Sequence, residues 1–382
     1  MKKKFFVIII LILTTFSIIS CSESSKLDGE QDNKIISAKN EPEDQIELLI
    51  KNMTITEKIG QMIMIGFYGY EINDDILYLL NRYHYGSIIL FSRNIESESQ
   101  LKQLTADLQK HSHEKLPLFI AIDEEGGKVS RLRQIEDEVA PSQEEIGNTG
   151  DPTFAKDWAI KTSSKLKFLG ININFAPVAD IGSPDMRSFS NDTDTVVNFV
   201  DNASRGYEDE NFLYCLKHFP GIGKRVTDPH QEISSINVSR ETLDKEDLLP
   251  FKSIIDNHPS DKFMIMVSHL KYPAIDADNS ATLSYEVMTK LLREELGFEG
   301  IIITDDLEMG AISNHNTFSD VGVKAIKAGA DVLLICHDYQ HEQEVYLGVL
   351  EAIQNGELAE ERINESIRRI LKVKLNNLSK NR

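Results

Sequence analysis

Three short segments group charged side chains at spacings that suit proton transfer and charge-assisted binding. Asp123-Glu124-Glu125-Gly126-Gly127-Lys128-Val129-Ser130-Arg131 follows an apolar run and turns sharply on two glycines, which let backbone approach a ligand closely. That turn is expected to bring Asp123 and Arg131 near one another, although alone the segment is only a turn. Lys217-His218-Phe219-Pro220-Gly221-Ile222-Gly223 runs on to Asp228-Pro229-His230, a loop of small residues ending with a carboxylate two residues from an imidazole. A lone histidine is more often structural or solvent-exposed. The third segment ends the apolar run at residues 301–303 on the adjacent carboxylates Asp305 and Asp306, one of which can simply cap the next helix.

The elements that must position these groups follow from hydropathy. From about residue 46 to 375, short apolar runs alternate with longer segments at helical spacing, the pattern of repeated βα units around a parallel sheet. Eight runs occur, at residues 62–65, 87–91, 118–122, 171–175, 215–218, 264–267, 301–303 and 332–335. Between them, residues 100–113, 154–169, 195–207, 243–257, 285–296 and 319–328 mostly carry apolar side chains at three- and four-residue intervals. Eight strands predict an α/β fold closed into a (β/α)8 TIM-type barrel. The alternative, an open doubly wound sheet, would need a Gly-rich phosphate turn for a dinucleotide role, and Ile59-Gly60-Gln61-Met62 does not provide one. Polar groups stand at almost every strand exit: Arg93, Asp123, Asp180, Lys217-His218, His269, Asp305-Asp306 and His337. In such a barrel these exits converge on one face, where catalysis occurs. Helix N-capping accounts for one Asp per loop, but less well for His, Lys, Arg and Asp recurring together.

Composition narrows the partners. Lys+Arg 41 against Asp+Glu 61 gives 41 − 61 = −20, and no basic stripe is present, so a nucleic-acid partner is not expected. Cys215 and Cys336 each lie inside an apolar run and read as buried thiols; no CxxC or HExxH spacing marks a metal site. Lys2, Lys3 and Lys4 precede an apolar stretch at residues 5–13, with Ile18-Ile19-Ser20 leading into Cys21. That stretch is short for a membrane span, which needs about 20 apolar residues. It resembles a bacterial lipoprotein signal. The resemblance implies a signal peptide over residues 1–20, lipidation of Cys21, a polar tether over 21–45, and the barrel over 46–378. The protein is then expected to be exported and membrane-anchored, on the periplasmic or cell-surface side, through acyl chains. Its mature charge of 38 − 61 = −23 would be repelled by an acidic bilayer.

Taken together, the pieces resemble glycoside hydrolase family 3, in its single-barrel β-N-acetylhexosaminidase branch. They are, in order, Asp123-Glu124-Glu125-Gly126-Gly127 through Arg131; Asn174-Phe175-Ala176-Pro177-Val178-Ala179-Asp180; Arg187-Ser188-Phe189; Lys217-His218-Phe219-Pro220-Gly221; Asp228-Pro229-His230; Val267-Ser268-His269 with Tyr272-Pro273; and Gly297-Phe298 through Met309. The Asp-x-His pair points to the hexosaminidase branch rather than the β-glucosidase branch.

The resemblance implies exo-acting, retaining hydrolysis of terminal β-linked N-acetylglucosamine, with no metal and no organic cofactor. It makes Asp305 the nucleophile, Asp306 structural, and His230 the general acid and then base, where the common scheme uses a second carboxylate. An imidazole suits that role because its unperturbed pKa of about 6.5 lies near neutrality, and Asp228 would orient the ring. Asp123, Arg131, Arg187, Lys217 and His218 become the sugar-binding set. The chain departs from the branch at Ile222, where His is usual, at Lys224-Arg225, where Asp-Thr is common, and at Pro229, where Ser is usual. Pro229 fixes one backbone dihedral, so rate, loop mobility or substrate choice are expected to differ. Another β-hexosidase, a phosphorolytic β-N-acetylglucosaminidase and a non-catalytic sugar-binding lipoprotein are the competing readings. The last has no need of Asp228, His230 and Asp305 together.

Overall fold

The structure, a computed structural model, describes residues 42–112, 116–136, 138–183, 185–223, 234–313 and 316–378. Cys21 and the other residues before Pro42 lie outside this set, as do Asp228, Pro229 and His230.

Each of the eight apolar runs becomes a barrel strand: β1 (Ile63–Ile65), β2 (Ser87–Leu90), β3 (Phe119–Ile122), β4 (Ile173–Asn174), β5 (Leu213–Phe219), β6 (Phe263–Val267), β7 (Ile301–Asp306) and β8 (Val332–Ile335). They pair in parallel in sequence order, and the barrel closes where Ile63, Met64 and Ile65 of β1 face Leu333, Leu334 and Ile335 of β8. The runs are unbroken rather than alternating because both faces are covered, by packed side chains inside and helices outside. Met64, Ile88, Ile120, Cys215, Ile265 and Ile303 are all fully buried.

The helices follow the sequence periodicity with one break. Residues 243–257 form two helices, Arg240–Lys245 and Leu249–Asn257, rather than one. Pro250 explains this: it has no N–H to donate and fits only in the first turn, where the second helix places it. The first described helix, Pro42–Asn52, begins upstream of Ile46. Among the described residues no helix is long and apolar enough to cross a membrane.

At the end of the barrel opposite the strand exits, Asp331 is buried among arginines. It accepts from the Ile302 amide at 2.9 Å, the Ser366 hydroxyl at 2.7 Å and Arg369 at 2.9 Å, and also pairs with Arg293. Burial would raise this carboxyl, but the surrounding guanidinium groups hold it below the usual range. This cluster fastens the C-terminal helix Glu360–Asn377 to the barrel and leaves the other face to carry chemistry.

Candidate active site

Leaving β3, the chain alternates its side chains. Asp123 and Glu125 line a cavity of about 680 Å³ at the strand exits, while Glu124, between them, turns the other way. One Glu124 oxygen accepts the Arg131 amide at 2.8 Å and the Leu132 amide at 3.0 Å, which holds the returning arm of the hairpin Glu124–Gly126 and Val129–Ser130. The hairpin turns at Gly126 (φ 88°) and Gly127 (φ 57°). A Cβ at Gly126 would lie 2.2 Å from the Pro141 carbonyl oxygen, so only glycine fits. The turn returns Arg131 to Asp123, with Nη2 3.1 Å from Oδ2, as its sequence predicts.

Lys217 and His218 come from the end of β5. The Lys217 ammonium, 2 % exposed, donates to Asp123 Oδ1 at 2.8 Å and to Glu125 Oε1 at 2.7 Å. Arg187 grips Glu125 with two bonds, Nε to Oε2 at 2.8 Å and Nη2 to Oε1 at 2.7 Å. Burial alone would raise both carboxyls, but Lys217 with Arg131 holds Asp123 well below the ordinary range, and Lys217 with Arg187 brings Glu125 down to about 2. Burial would lower Lys217, yet Asp123 and Glu125 more than offset it and raise its pKa. Asp123, Glu125 and Lys217 therefore stay ionised together, and with Arg131 and Arg187 they offer a polar ligand fixed charged donors and acceptors.

His218 is fixed from behind. Its Nδ1 lies 2.8 Å from Asp180 Oδ2, and Asp180 Oδ1 accepts the amides of His218 at 3.1 Å and Ile222 at 2.9 Å. Because an ionised carboxylate only accepts, the His218 ring donates from Nδ1, and its Nε2 lies 3.4 Å from Arg187 Nη2. Burial would raise Asp180, but His218 and the two amides bring it below its usual value. Ile222, where the branch usually has His, is buried in the cavity wall.

Asp305 lines the same cavity from the end of β7. Its Oδ1 accepts the amide of Asp306 at 2.9 Å, and it pairs with no cation among the described residues. Asp306 is tied into structure: its carbonyl lies 2.7 Å from His269 Nε2, and its carboxylate accepts the Glu308 amide at 3.1 Å. One carboxylate is thus available to a ligand while its neighbour is engaged. Asp228 and His230 lie outside the described residues, so the site as described comprises Asp305, Asp123, Arg131, Arg187, Lys217 and His218.

Residue type and spacing did not single out three further groups. Glu125 is the shared partner of Lys217 and Arg187; its two-residue offset from Asp123 was the available signal. Asp180 was noted as a strand exit, but its bond to His218 spans 38 residues. Glu308 gathers the amides of Cys336, His337 and Asp338 and the His341 ring, fixing the loop after β8.

Among the described residues, Asp306, Cys336 and His337 place potential metal-ligand atoms within 4.8 Å of one another. Arg93 Nη1 stands 3.1 Å from His337 Nδ1, and its positive charge opposes a divalent cation there. Burial pushes the Cys336 thiol well up, away from the thiolate that metals prefer. Both Cys215 and Cys336 are buried free thiols, as their apolar runs predict.

Removing Lys217 tests whether the cluster is also structural. Lys217→Met leaves the buried Glu125 and the half-buried Asp123 short of a partner and is expected to cost about 3 kcal/mol of folding stability. An unchanged denaturant midpoint would show that Arg131 and Arg187 suffice.

Comparison with known proteins places this site in context. The model of the glycosyl hydrolase family 3 N-terminal domain matches residues 54–373. The chain is 33 % identical over 368 residues to beta-hexosaminidase A of Pseudoalteromonas piscicida, which covers 84 % of this chain and 61 % of that protein. It is 33 % identical over 271 residues to a beta-hexosaminidase of Nitrosomonas eutropha, covering 68 % of this chain and 76 % of the relative. Among solved structures, a family 3 beta-N-acetylglucosaminidase from a Paenibacillus species superposes with a TM-score of 0.82 at 37 % identity, covering 85 % of this chain and 63 % of that one. The chain thus spans about three fifths of the Pseudoalteromonas and Paenibacillus proteins.

Proposed function

The chain belongs to glycosyl hydrolase family 3, and on that premise we propose that it is a retaining exo-β-N-acetylhexosaminidase. Its substrate is terminal β-linked N-acetylglucosamine on cell-wall fragments or chito-oligosaccharides. The carrying observation is the ion-paired set of Asp123, Glu125, Arg131, Arg187 and Lys217, with Glu125 and Lys217 buried, around a cavity that Asp305 lines without a cationic partner among the described residues. Relatives named beta-hexosaminidase and beta-N-acetylglucosaminidase support the same reading.

In this mechanism Lys217, Arg131 and Arg187 donate to sugar oxygens and Asp123 accepts from hydroxyls, holding the anomeric carbon against Asp305. Asp305 attacks that carbon; the bond to the leaving oxygen breaks, and His230 gives the oxygen its proton. His230 then takes a proton from water, the hydroxide oxygen bonds to the anomeric carbon, and the ester bond to Asp305 breaks. Two inversions give net retention. Hydrolysis of a chromogenic β-N-acetylglucosaminide beside the matching β-glucoside, with and without phosphate, tests the assignment. Turnover of the first alone, independent of phosphate, is expected. Phosphate-dependent turnover would indicate phosphorolysis, and turnover of neither by folded protein would favour a sugar-binding lipoprotein.

The exported, lipid-anchored state belongs to the same proposal and rests on the signal-like sequence ending at Cys21. Cys21→Ala is expected to abolish incorporation of labelled acyl chains and move the protein to the soluble fraction. Continued acyl labelling would refute the anchor.

A further inference from the structure

The rim of the central cavity has two unlike halves. The charged half comes from the loops after β3, β4 and β5, with Asp123, Glu125, Arg187, Lys217 and His218. Round the closed barrel, the exits of β8 and β2 bring aromatic rings instead: His337 and Phe91 line the cavity, and Tyr68, just after β1, stands beside them. Arg93 ties these rings together. Its guanidinium lies 4.5 Å from the centre of the Tyr68 ring and 4.3 Å from that of Phe91, and its Nη1 stands 3.1 Å from His337 Nδ1. A guanidinium only donates, so Nδ1 accepts. The other ring nitrogen, Nε2, lies 3.4 Å from Asp306 Oδ2, and Glu308 accepts the His337 amide. Phe91 backs the imidazole, with ring centres 5.5 Å apart and planes inclined by 35°. With both nitrogens occupied, the ring is not placed to carry protons. Yet 46 % of this closely held side chain is exposed, and what it has left to offer is a flat face.

We propose that His337 is the platform of the aglycone subsite, the open face of its ring stacking on the first sugar beyond the bond that is cut. This rests on the hexosaminidase reading above and says where the second sugar of that substrate lies. A terminal sugar gripped by the loops after β3, β4 and β5, with its anomeric carbon at Asp305 on β7, directs whatever that carbon carries away from the charged half. The next exit on that side is β8, which pairs with β7, and the His337 ring reaches Asp306, the neighbour of the nucleophile. The C–H groups on a pyranose face are slightly positive, an aromatic face is negative, and both shed water as they meet. Because Arg93, Asp306 and Phe91 already hold the ring, little side-chain freedom is lost when a sugar binds.

Two substrates with the same first sugar separate this platform from the rest of the site. Chitobiose has a second sugar ring as its leaving group, whereas β-N-acetylglucosaminyl fluoride releases an ion too small to reach His337. In His337→Ala, kcat/KM for chitobiose is expected to fall about tenfold, while that for the fluoride stays within about twofold of wild type. His337→Phe keeps a flat face and gives up both nitrogens, and it should restore most of the chitobiose turnover. Equal losses on the two substrates in the alanine variant, no loss on chitobiose, or failure of phenylalanine to rescue would overturn the platform and leave the hexosaminidase reading standing. Wild-type protein that cleaves neither substrate would overturn both.

Discussion

Asp305→Ala is expected to reduce turnover of a β-N-acetylglucosaminide on the order of 10⁴-fold or more, the scale of losing a nucleophile from a catalytic unit. The fold should survive, because the Asp305 carboxylate accepts only the amide of its neighbour and pairs with none of the buried cations among the described residues. Circular dichroism and the denaturation midpoint should therefore match wild type while activity is lost. The vacated space supplies a second readout. Azide should attack the anomeric carbon where the carboxylate stood, giving an α-glycosyl azide by a single inversion. Near-wild-type hydrolysis by the alanine variant, or a β-configured azide product, would remove Asp305 as nucleophile.

His230→Ala should slow turnover by roughly 10²–10⁴-fold, the range of general acid–base catalysis. The loss should depend on the leaving group. A nitrophenolate departs without a proton, so glycosyl-enzyme formation from its glycoside should suffer little, whereas an alkyl or sugar aglycone needs the acid and should show the full loss. Plotting the rate of the first step against aglycone pKa for both proteins checks this: the variant should show the steeper slope. Parallel slopes with a uniform loss would mean that another group protonates the leaving oxygen. Because Pro229 stands beside His230, Pro229→Ser is the natural companion for asking how that residue tunes the loop.

The barrel was legible because its strands are buried on both faces, which writes each one as an unbroken apolar run such as Ser87–Leu90 or Val332–Ile335. The division of residues 243–257 was legible in principle from Pro250, but helical spacing continues across the break and conceals it. At the site, Asp123 and Arg131 were readable as neighbours because one turn joins them. The bonds from Glu125 to Arg187 and from Asp180 to His218 join different barrel loops, and no local pattern records such pairings. Three consecutive acidic residues also look alike in a sequence. Only the strand alternation separates Glu124, which builds the hairpin, from Asp123 and Glu125, which face the cavity.

The floor of the central cavity has a consequence for traffic. Ile89, Phe175, Met266 and Leu334 fill the barrel beneath Asp305, so a chain end that enters from the strand exits has no way onward. A polymer cannot be threaded through and cut repeatedly in one visit. Under the proposed exo mechanism each encounter would remove a single terminal unit, after which the shortened chain and then the freed sugar would back out through the same mouth. Incoming substrate and departing product would then compete for one doorway, and accumulated monosaccharide would act as a brake on its own formation.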